Sequence, residues 1–227
     1  MLIGIIGLIG SGKGTVGDML IEQGFEHESF ASSLKDAASS IFNWDRTLLE
    51  GTTPASRVWR EQVDSWWSDR LNIPDFSPRL ALQLLGTEVF RDHFHQDTWI
   101  LSMESRLKDS KSNKVITDAR FPNEIAMVRR LGGVIVRVKR GDDPTWFNFA
   151  AKQPDDMHVM YPDVHASEYS WAGITPNYLI TNDGSIEDLN KAIHATTLKL
   201  KGNKEAVAFF QLKHLLGIRN KDLVNLT

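Results

Sequence analysis

Nine residues near the amino end, Gly7 to Thr15, read GLIGSGKGT. Glycines at 7, 10, 12 and 14 let the backbone curl until successive N–H groups point at one anion, and a helix starting inside the loop adds its partial positive charge. Lys13 brings a mobile full charge suited to the β and γ phosphates of a nucleotide. In the usual spacing GxxxxGK is followed by Ser or Thr. Here Gly14 takes that place and Thr15 stands one further on, which argues against direct Mg²⁺ ligation by a loop hydroxyl. Gly10, Ser11, Gly12, Lys13, Gly14 and Thr15 are the candidate nucleotide-phosphate ligands. A glycine-rich turn that binds nothing is the alternative.

A second set of chemical groups lies further along. TDARFPNE (117–124) puts Asp118 and Arg120 just beyond an apolar run, where a carboxylate can hold Mg²⁺ directly or through water and an arginine can grip a phosphate with two N–H groups. The competing reading has Asp118 capping the next helix and Arg120 in a surface ion pair. LQLLGTEVFRDHF (82–94) spaces Gln83, Thr87 and Arg91 four residues apart, so on an α-helix they share one face. Taken alone, such a face is more often simply solvated. Trp99 follows in DTWI and is placed to wall a base pocket near Thr87. The tryptophans at 59, 66 and 67 fit core packing better than base stacking. His165, Ser167 and Glu168 form either a polar clamp or a hydrogen-bonded loop anchor.

These groups need a scaffold. LIGII (2–6) is a continuous apolar run that suits a central parallel strand buried on both faces. Strand, glycine loop and then a helix through Val16, Met19 and Leu20 to Gly24 are the order a phosphate-binding loop requires. A short strand is expected at 25–30, then three or four helices between 31 and about 108. Strands return at 114–117, 134–138 and 178–183, with a helix through Ile125, Val128 and Leu131 after the first of them. Residues 141–176 lack sustained periodicity and read as a mobile lid or binding loop. Ser185 and Asp188 occupy capping-box positions of a further helix. The tail from Asn203, with Phe209, Phe210, Leu212, Leu215 and Leu216, reads as an amphipathic helix. Strands alternating with helices imply a three-layer α/β domain with a mostly parallel sheet, binding its ligands at the carboxyl ends of the strands.

Composition removes some classes. The chain has 227 residues, enough for one substantial core. Lysine plus arginine number 26 against 29 acids, a net charge of −3, so there is no general basic footprint for long nucleic acid. With no cysteine, disulfides and thiolate metal sites are excluded, which is compatible with a reducing cytosol. A zinc site is not expected. The apolar start MLIGIIGLIG lacks a basic leader and reads as a buried strand, not a signal peptide.

Taken in order, GSGKGT, FASSLKDA, LQLLGTEVFR, DTW, TDARFPNE, VIVRVKR, HASE and ITNDGSIEDL resemble the deoxynucleoside monophosphate kinases of tailed bacteriophages, over roughly residues 1–200. GSGKGT by itself is similar to the loop of nucleoside monophosphate kinases such as adenylate kinase. The resemblance implies a three-layer P-loop NTPase fold over 1–202, with a helical acceptor-binding region at 31–108, a lid at 140–176 and an extension at 203–227. It implies ATP as donor with Mg²⁺, and a deoxynucleoside monophosphate as acceptor. The loop with Lys13, together with Arg140, falls on the ATP side. Lys35, Gln83, Gly86, Thr87, Arg91, Trp99, Asp118, Arg120 and Glu124 fall around the acceptor, with His165, Ser167 and Glu168 in the lid. Lys13, Asp118, Arg120 and Arg140 are the catalytic candidates and Asp118 the metal candidate. A phage protein of this kind works in the host cytoplasm on small nucleotides, with no membrane partner. For the tail, dimer contact and a simple packing helix are both open.

The chemistry expected is transfer of the γ-phosphoryl group of ATP to the acceptor phosphate. That oxygen is already ionised at neutral pH, so no strong base is required, and Asp118 orients a metal ion or a lysine. Two rivals remain at this point: a kinase for dephospho-coenzyme A or another hydroxylated acceptor, with Asp118 as base, and a regulator that binds ATP without an acceptor. Base preference depends on pocket shape, which linear spacing does not place.

Overall fold

The computed structural model describes residues 1–215, with side chains through Asn203. The tail side chains singled out above, Phe209 to Leu216, lie outside the described residues. Five parallel strands form one sheet in the order β2-β3-β1-β4-β5, with β1 at Leu2–Ile6, β2 at Phe25–Glu28, β3 at Asn113–Ile116, β4 at Val134–Lys139 and β5 at Tyr178–Thr181. The central strand pairs Ile3 with Val115 on one side and Ile5 with Val136 on the other. Its continuous apolar run is what burial on both faces demands, and Ile5 and Ile6 are fully buried.

Helices cover both faces. On one, α1 (Lys13–Glu22) and α12 (Ile186–Leu215) pack Val16, Leu20, Leu189 and Ile193 against Ile3 and Val138. On the other, α7 (Thr98–Leu107) and α8 (Pro122–Arg130) pack Met103, Ile125 and Val128 against Ile6 and Ile135. α12 starts at the expected capping box, in which the Asp188 N–H donates to Ser185 Oγ (3.2 Å) and the Ser185 hydroxyl donates to Asp188 (2.7 Å). It continues unbroken past Gly202 to Leu215.

The region between β2 and β3 holds more helices than the three or four read from the sequence: α2 (Ser32–Phe42), α3 (Arg46–Glu50), α4 (Pro54–Glu61), α5 (Ser65–Leu71), α6 (Pro78–Gln83) and α7. Several are too short to show periodicity, and side-chain caps start four of them: Asp45 before α3, Thr53 before α4, Asp64 before α5 and Ser77 before α6. This layer has its own small core of Phe42, Trp44, Leu49 and Phe76, joined by Trp59 and Trp67. Trp66 departs from the core expectation: it is largely exposed, its ring edge against Trp67.

α6 passes directly into a π-helical stretch, Leu84–Phe94, closed by a hydrogen bond from His95 N–H to the Phe90 carbonyl (2.7 Å). The segment after β4 contains α9 (Phe147–Lys152), a 3₁₀ turn (Pro154–Asp156), α10 (Met157–Met160) and α11 (Ala166–Tyr169). Buried Phe147 and Trp171 anchor it to the sheet, and the guanidinium of Arg137 lies over both rings. Arg137 also pairs with Asp143, so this strand arginine braces the segment that follows it. Among the described residues no helix is long and apolar enough to cross a membrane.

Candidate active site

The glycine loop connects β1 to α1, and Gly12 turns it with φ +98°, a conformation that disfavours any side chain. A Cβ there would also meet the side-chain amide of Asn182 at 2.4 Å. That amide donates to the Ser11 carbonyl (2.9 Å), so the residue just after β5 buttresses the loop. Ser11 is buried and its hydroxyl has no partner. Lys13 Nζ folds back onto its own loop and donates to the carbonyls of Gly7 (2.7 Å) and Leu8 (2.8 Å). Burial pushes the Lys13 ammonium down to about 8, the Arg120 guanidinium adds to the shift, and Glu168 opposes it.

The loop opens on one side into a cleft of about 1000 Å³. Lys13, Gly14 and Thr15 form one wall, Asp118, Arg120 and Glu124 another, and Lys35, Gly86, Thr87, Arg91 and Trp99 the helical side. Residues far apart in sequence thus converge because β1 and β3 are neighbours whose carboxyl ends open on the same edge.

Asp118 does not cap α8. It accepts the Ser29 hydroxyl (2.6 Å) and the Phe30 N–H (3.3 Å), which locks it to the end of β2. The capping falls to Glu124, which accepts the N–H groups of Arg120 (2.8 Å) and Phe121 (3.1 Å). Burial raises the Glu124 carboxyl above its usual range, the two backbone bonds work against that, Asp118 adds to it, and Arg91 opposes it from 3.8 Å. Arg120 reaches across to the segment after β4, with Ser167 Oγ and Glu168 Oε1 each at 3.4 Å. His165 Nδ1 lies 2.8 Å from Ser167 Oγ and accepts its N–H. The three lid candidates therefore gather about Arg120.

Trp99 donates from Nε1 to the Gly86 carbonyl (2.9 Å), and a Cβ on Gly86 would strike Leu34 at 2.8 Å. Lys35 is held by Glu50 (2.7 Å), which Arg46 also engages. Burial opposes the Glu50 charge, but its bonds to Lys35 and Arg46 prevail and keep the carboxyl below its usual range.

Two expected placements differ. Gln83 is exposed and does not line the cleft, whereas Leu82, Gly86, Thr87 and Arg91 do. Gln83 ends α6 on its solvent side, and the π-helical stretch that follows carries Thr87 and Arg91 to the cleft. Arg140 lies on the other side of the loop, in a groove of about 230 Å³ with Leu8, Gly10, Ser11 and Asp142, because β4 runs on past the loop before the chain turns. It does not share the cleft with Lys13, Arg91 and Arg120. Asn182 and Ser29 were not singled out from the sequence. ITND and FEHESF contain nothing to mark them, since their roles arise only when β5 and β2 close on neighbouring strands.

A parallel 2-3-1-4-5 sheet whose central strand feeds a glycine loop, with a cationic cleft at its carboxyl edge, defines an α/β P-loop kinase fold. A family profile described as Deoxynucleotide monophosphate kinase matches residues 55–193. The chain belongs to the deoxynucleotide monophosphate kinase family and is a nucleoside monophosphate kinase. A protein of Acanthamoeba polyphaga mimivirus with a provisional deoxynucleotide monophosphate kinase name is 30% identical over 155 residues, covering 62% of this chain and 74% of that protein. The deoxynucleoside-5′-monophosphate kinase of Escherichia phage T5 is 46% identical over 54 residues, 23% of this chain and 22% of that one. Among solved structures, dephospho-CoA kinase from Campylobacter jejuni overlaps 87% of this chain and 96% of its own, with 14% identity and a TM-score of 0.43. Likeness at that level says nothing of activity.

Proposed function

We propose that this kinase transfers the γ-phosphoryl group of ATP to the 5′-phosphate of a deoxynucleoside monophosphate, giving ADP and the deoxynucleoside diphosphate. The observation that carries the reading is the convergence of the Lys13 loop with Asp118, Arg120, Arg91 and Glu124 on one cleft, the latter four inside the matched family segment.

In this reading the loop N–H groups and Lys13 hold the β and γ phosphates, and Lys13 leaves the Gly7 and Leu8 carbonyls to do so. Arg140 and its groove lie to the donor side of the loop. Arg120 grips the acceptor phosphate, and its contacts with Ser167 and Glu168 connect that grip to lid closure, which excludes water. Lys35 and Arg91 add positive charge, while Gly86, Thr87 and Trp99 shape the acceptor wall. The acceptor oxygen attacks without a base, since it is already ionised.

Among the described residues no group of three or more His, Cys, Asp or Glu gathers as a metal cage. That donor set fits Mg²⁺, which is usually carried by one or two carboxylates plus phosphates and water. Asp118 is the carboxylate that would hold it, and the ion would neutralise charge on the transferred group. The substrate class fits DNA precursor synthesis in the cytoplasm, that of the host for a phage gene. The family match disfavours an alcohol acceptor or a purely regulatory role.

The test is coupled ADP release with ATP and Mg²⁺ against each deoxynucleoside and ribonucleoside monophosphate, with dephospho-coenzyme A as control. Turnover that depends on a monophosphate supports the reading. Turnover only with an alcohol acceptor, or ATP binding without acceptor-dependent release, overturns it.

A further inference from the structure

Asp118 differs from Glu50 and Glu124, two other carboxylates that line its cleft. Glu50 faces Lys35 at 2.7 Å and Glu124 faces Arg91 at 3.8 Å, so each is opposed by a cationic side chain. Asp118 takes two neutral donors instead, the Ser29 hydroxyl at 2.6 Å and the Phe30 N–H at 3.3 Å. Among the described residues it forms no ion pair. Each carboxylate oxygen has about two acceptor sites, so both oxygens of Asp118 keep one, and its negative charge is left for a cation in the cleft.

Ser29 is fixed as the donor. It lies one residue past β2 and is buried, and its oxygen accepts the Ala31 N–H (3.1 Å), so its one proton goes to Asp118. A hydroxyl donating to an ionised carboxylate at 2.6 Å is a charge-assisted bond, roughly twice as strong as a neutral one. The turn that carries Ser29 is itself held. Arg106 of α7 donates to the Ser29 carbonyl (3.2 Å) and to the hydroxyls of Ser33 and Ser102, and lies 3.5 Å from Glu28. Without the Ser29 bond, the carboxylate is free to turn toward the cations that share its cleft, Lys13, Lys35, Arg91 and Arg120. That would take charge from a metal ion and cations from the phosphates at once.

We propose that Ser29 is the positioning residue for Asp118: its hydroxyl orients the carboxylate for the divalent cation that accompanies the donor nucleotide and keeps it from pairing with the lysines and arginines of the cleft. This rests on the monophosphate-kinase reading above, in which Asp118 holds Mg²⁺. Ser29 acts through one side chain, so its loss should weaken nucleotide binding that uses the metal and spare binding that does not.

The experiment is calorimetry of ADP binding with Mg²⁺ and with EDTA; the ratio of the two dissociation constants reports the metal without any turnover. The wild type should bind ADP more tightly with Mg²⁺, and Asp118→Ala should lose most of that gain. Ser29→Ala should cut the ratio roughly 10- to 100-fold, the usual cost of removing a partner that orients a metal ligand, with metal-free affinity unchanged. Ser29→Thr keeps the hydroxyl and should restore the ratio. Thermal melting checks each fold, and Ser29→Cys, similar in shape but a weak donor, repeats the test if alanine disrupts the turn. In the Asp118→Ala background, Ser29→Ala should change nothing further. An unchanged ratio in Ser29→Ala, an equal loss with and without Mg²⁺, or a loss that persists without Asp118 overturns the proposal, and a ratio indifferent to Asp118→Ala removes the metal assignment and this proposal with it. The Ser29 effect in a wild type that phosphorylates no monophosphate would instead refute the acceptor reading and leave the positioning role standing.

Discussion

The side-chain amide of Asn182 donates to the carbonyl of Ser11 across 2.9 Å, joining the end of β5 to the phosphate-binding loop. The loop therefore does not stand on its glycines alone. Asn182→Ala removes one neutral hydrogen bond at a site where loop shape decides anion affinity. KM for ATP is expected to rise roughly 2- to 10-fold, with acceptor KM unchanged in steady-state kinetics. Gly12→Ala should be worse, because it strains a left-handed position and drives a methyl into that amide; a lowered melting temperature is the readout.

Lys13→Ala should reduce phosphoryl transfer at least about 10²-fold, as loss of a single electrostatic donor does in other enzymes. Because Lys13 bonds only to its own loop carbonyls, the melting temperature should move by only a few degrees. Full retained turnover would refute its assignment.

Lys13 also makes a pH prediction. Its ammonium is pushed down to about 8 from 10.5 in the free protein, and the charged form is the one that binds phosphate. kcat/KM for ATP is expected to fall as pH rises through about 8, while kcat holds to higher pH because bound phosphate favours the charged lysine. Stability runs the other way. Between about 8 and 10.5 the unfolded chain keeps a proton that the folded chain has lost, so Lys13 contributes a rise in stability with pH there. A kcat/KM profile flat to pH 10 would contradict the site geometry.

Much of this was readable from residue order, and the reason is local. β1, the glycine loop and α1 are contiguous, and β1, β4 and β5 are largely apolar runs bounded by glycine or polar residues, so sequence neighbours are also structural neighbours. What escaped depended on tertiary closure. The spacing of Gln83, Thr87 and Arg91 puts them on one helical face, but which residues of that face meet the cleft depends on how the helix docks, and Gln83 falls outside it. Helix capping by Asp118 stood as the competing reading, and the approach of Ser29 from the end of a neighbouring strand decides against it.

Arg120→Ala should lower kcat/KM for the acceptor by about 10- to 100-fold, the worth of a charge-assisted hydrogen bond, with KM for ATP little affected. A loss confined to ATP affinity would move Arg120 to the donor side. Glu168→Gln tests the link to the lid: it leaves Arg120 in place but weakens the pair at 3.4 Å, so acceptor KM should change less than with Arg120→Ala.

Glu124 tests the scaffold beneath Arg120. It is buried, accepts two backbone N–H groups at the start of α8, and its carboxyl is raised above the usual range. At pH values below both the folded and unfolded pKa, the group is protonated in both states and has no effect on the slope. As pH rises from there, the unfolded chain gives up its proton first, so stability falls until the folded carboxyl ionises too. Glu124→Gln keeps an oxygen to accept from Arg120 and Phe121 and should flatten that fall. Glu124→Ala leaves both N–H groups without the partner and should cost about 1–3 kcal/mol at any pH. Denaturant midpoints of the three proteins between pH 4 and 8 separate these outcomes, and equal pH slopes for wild type and Glu124→Gln would show that burial of Glu124 carries no titration cost.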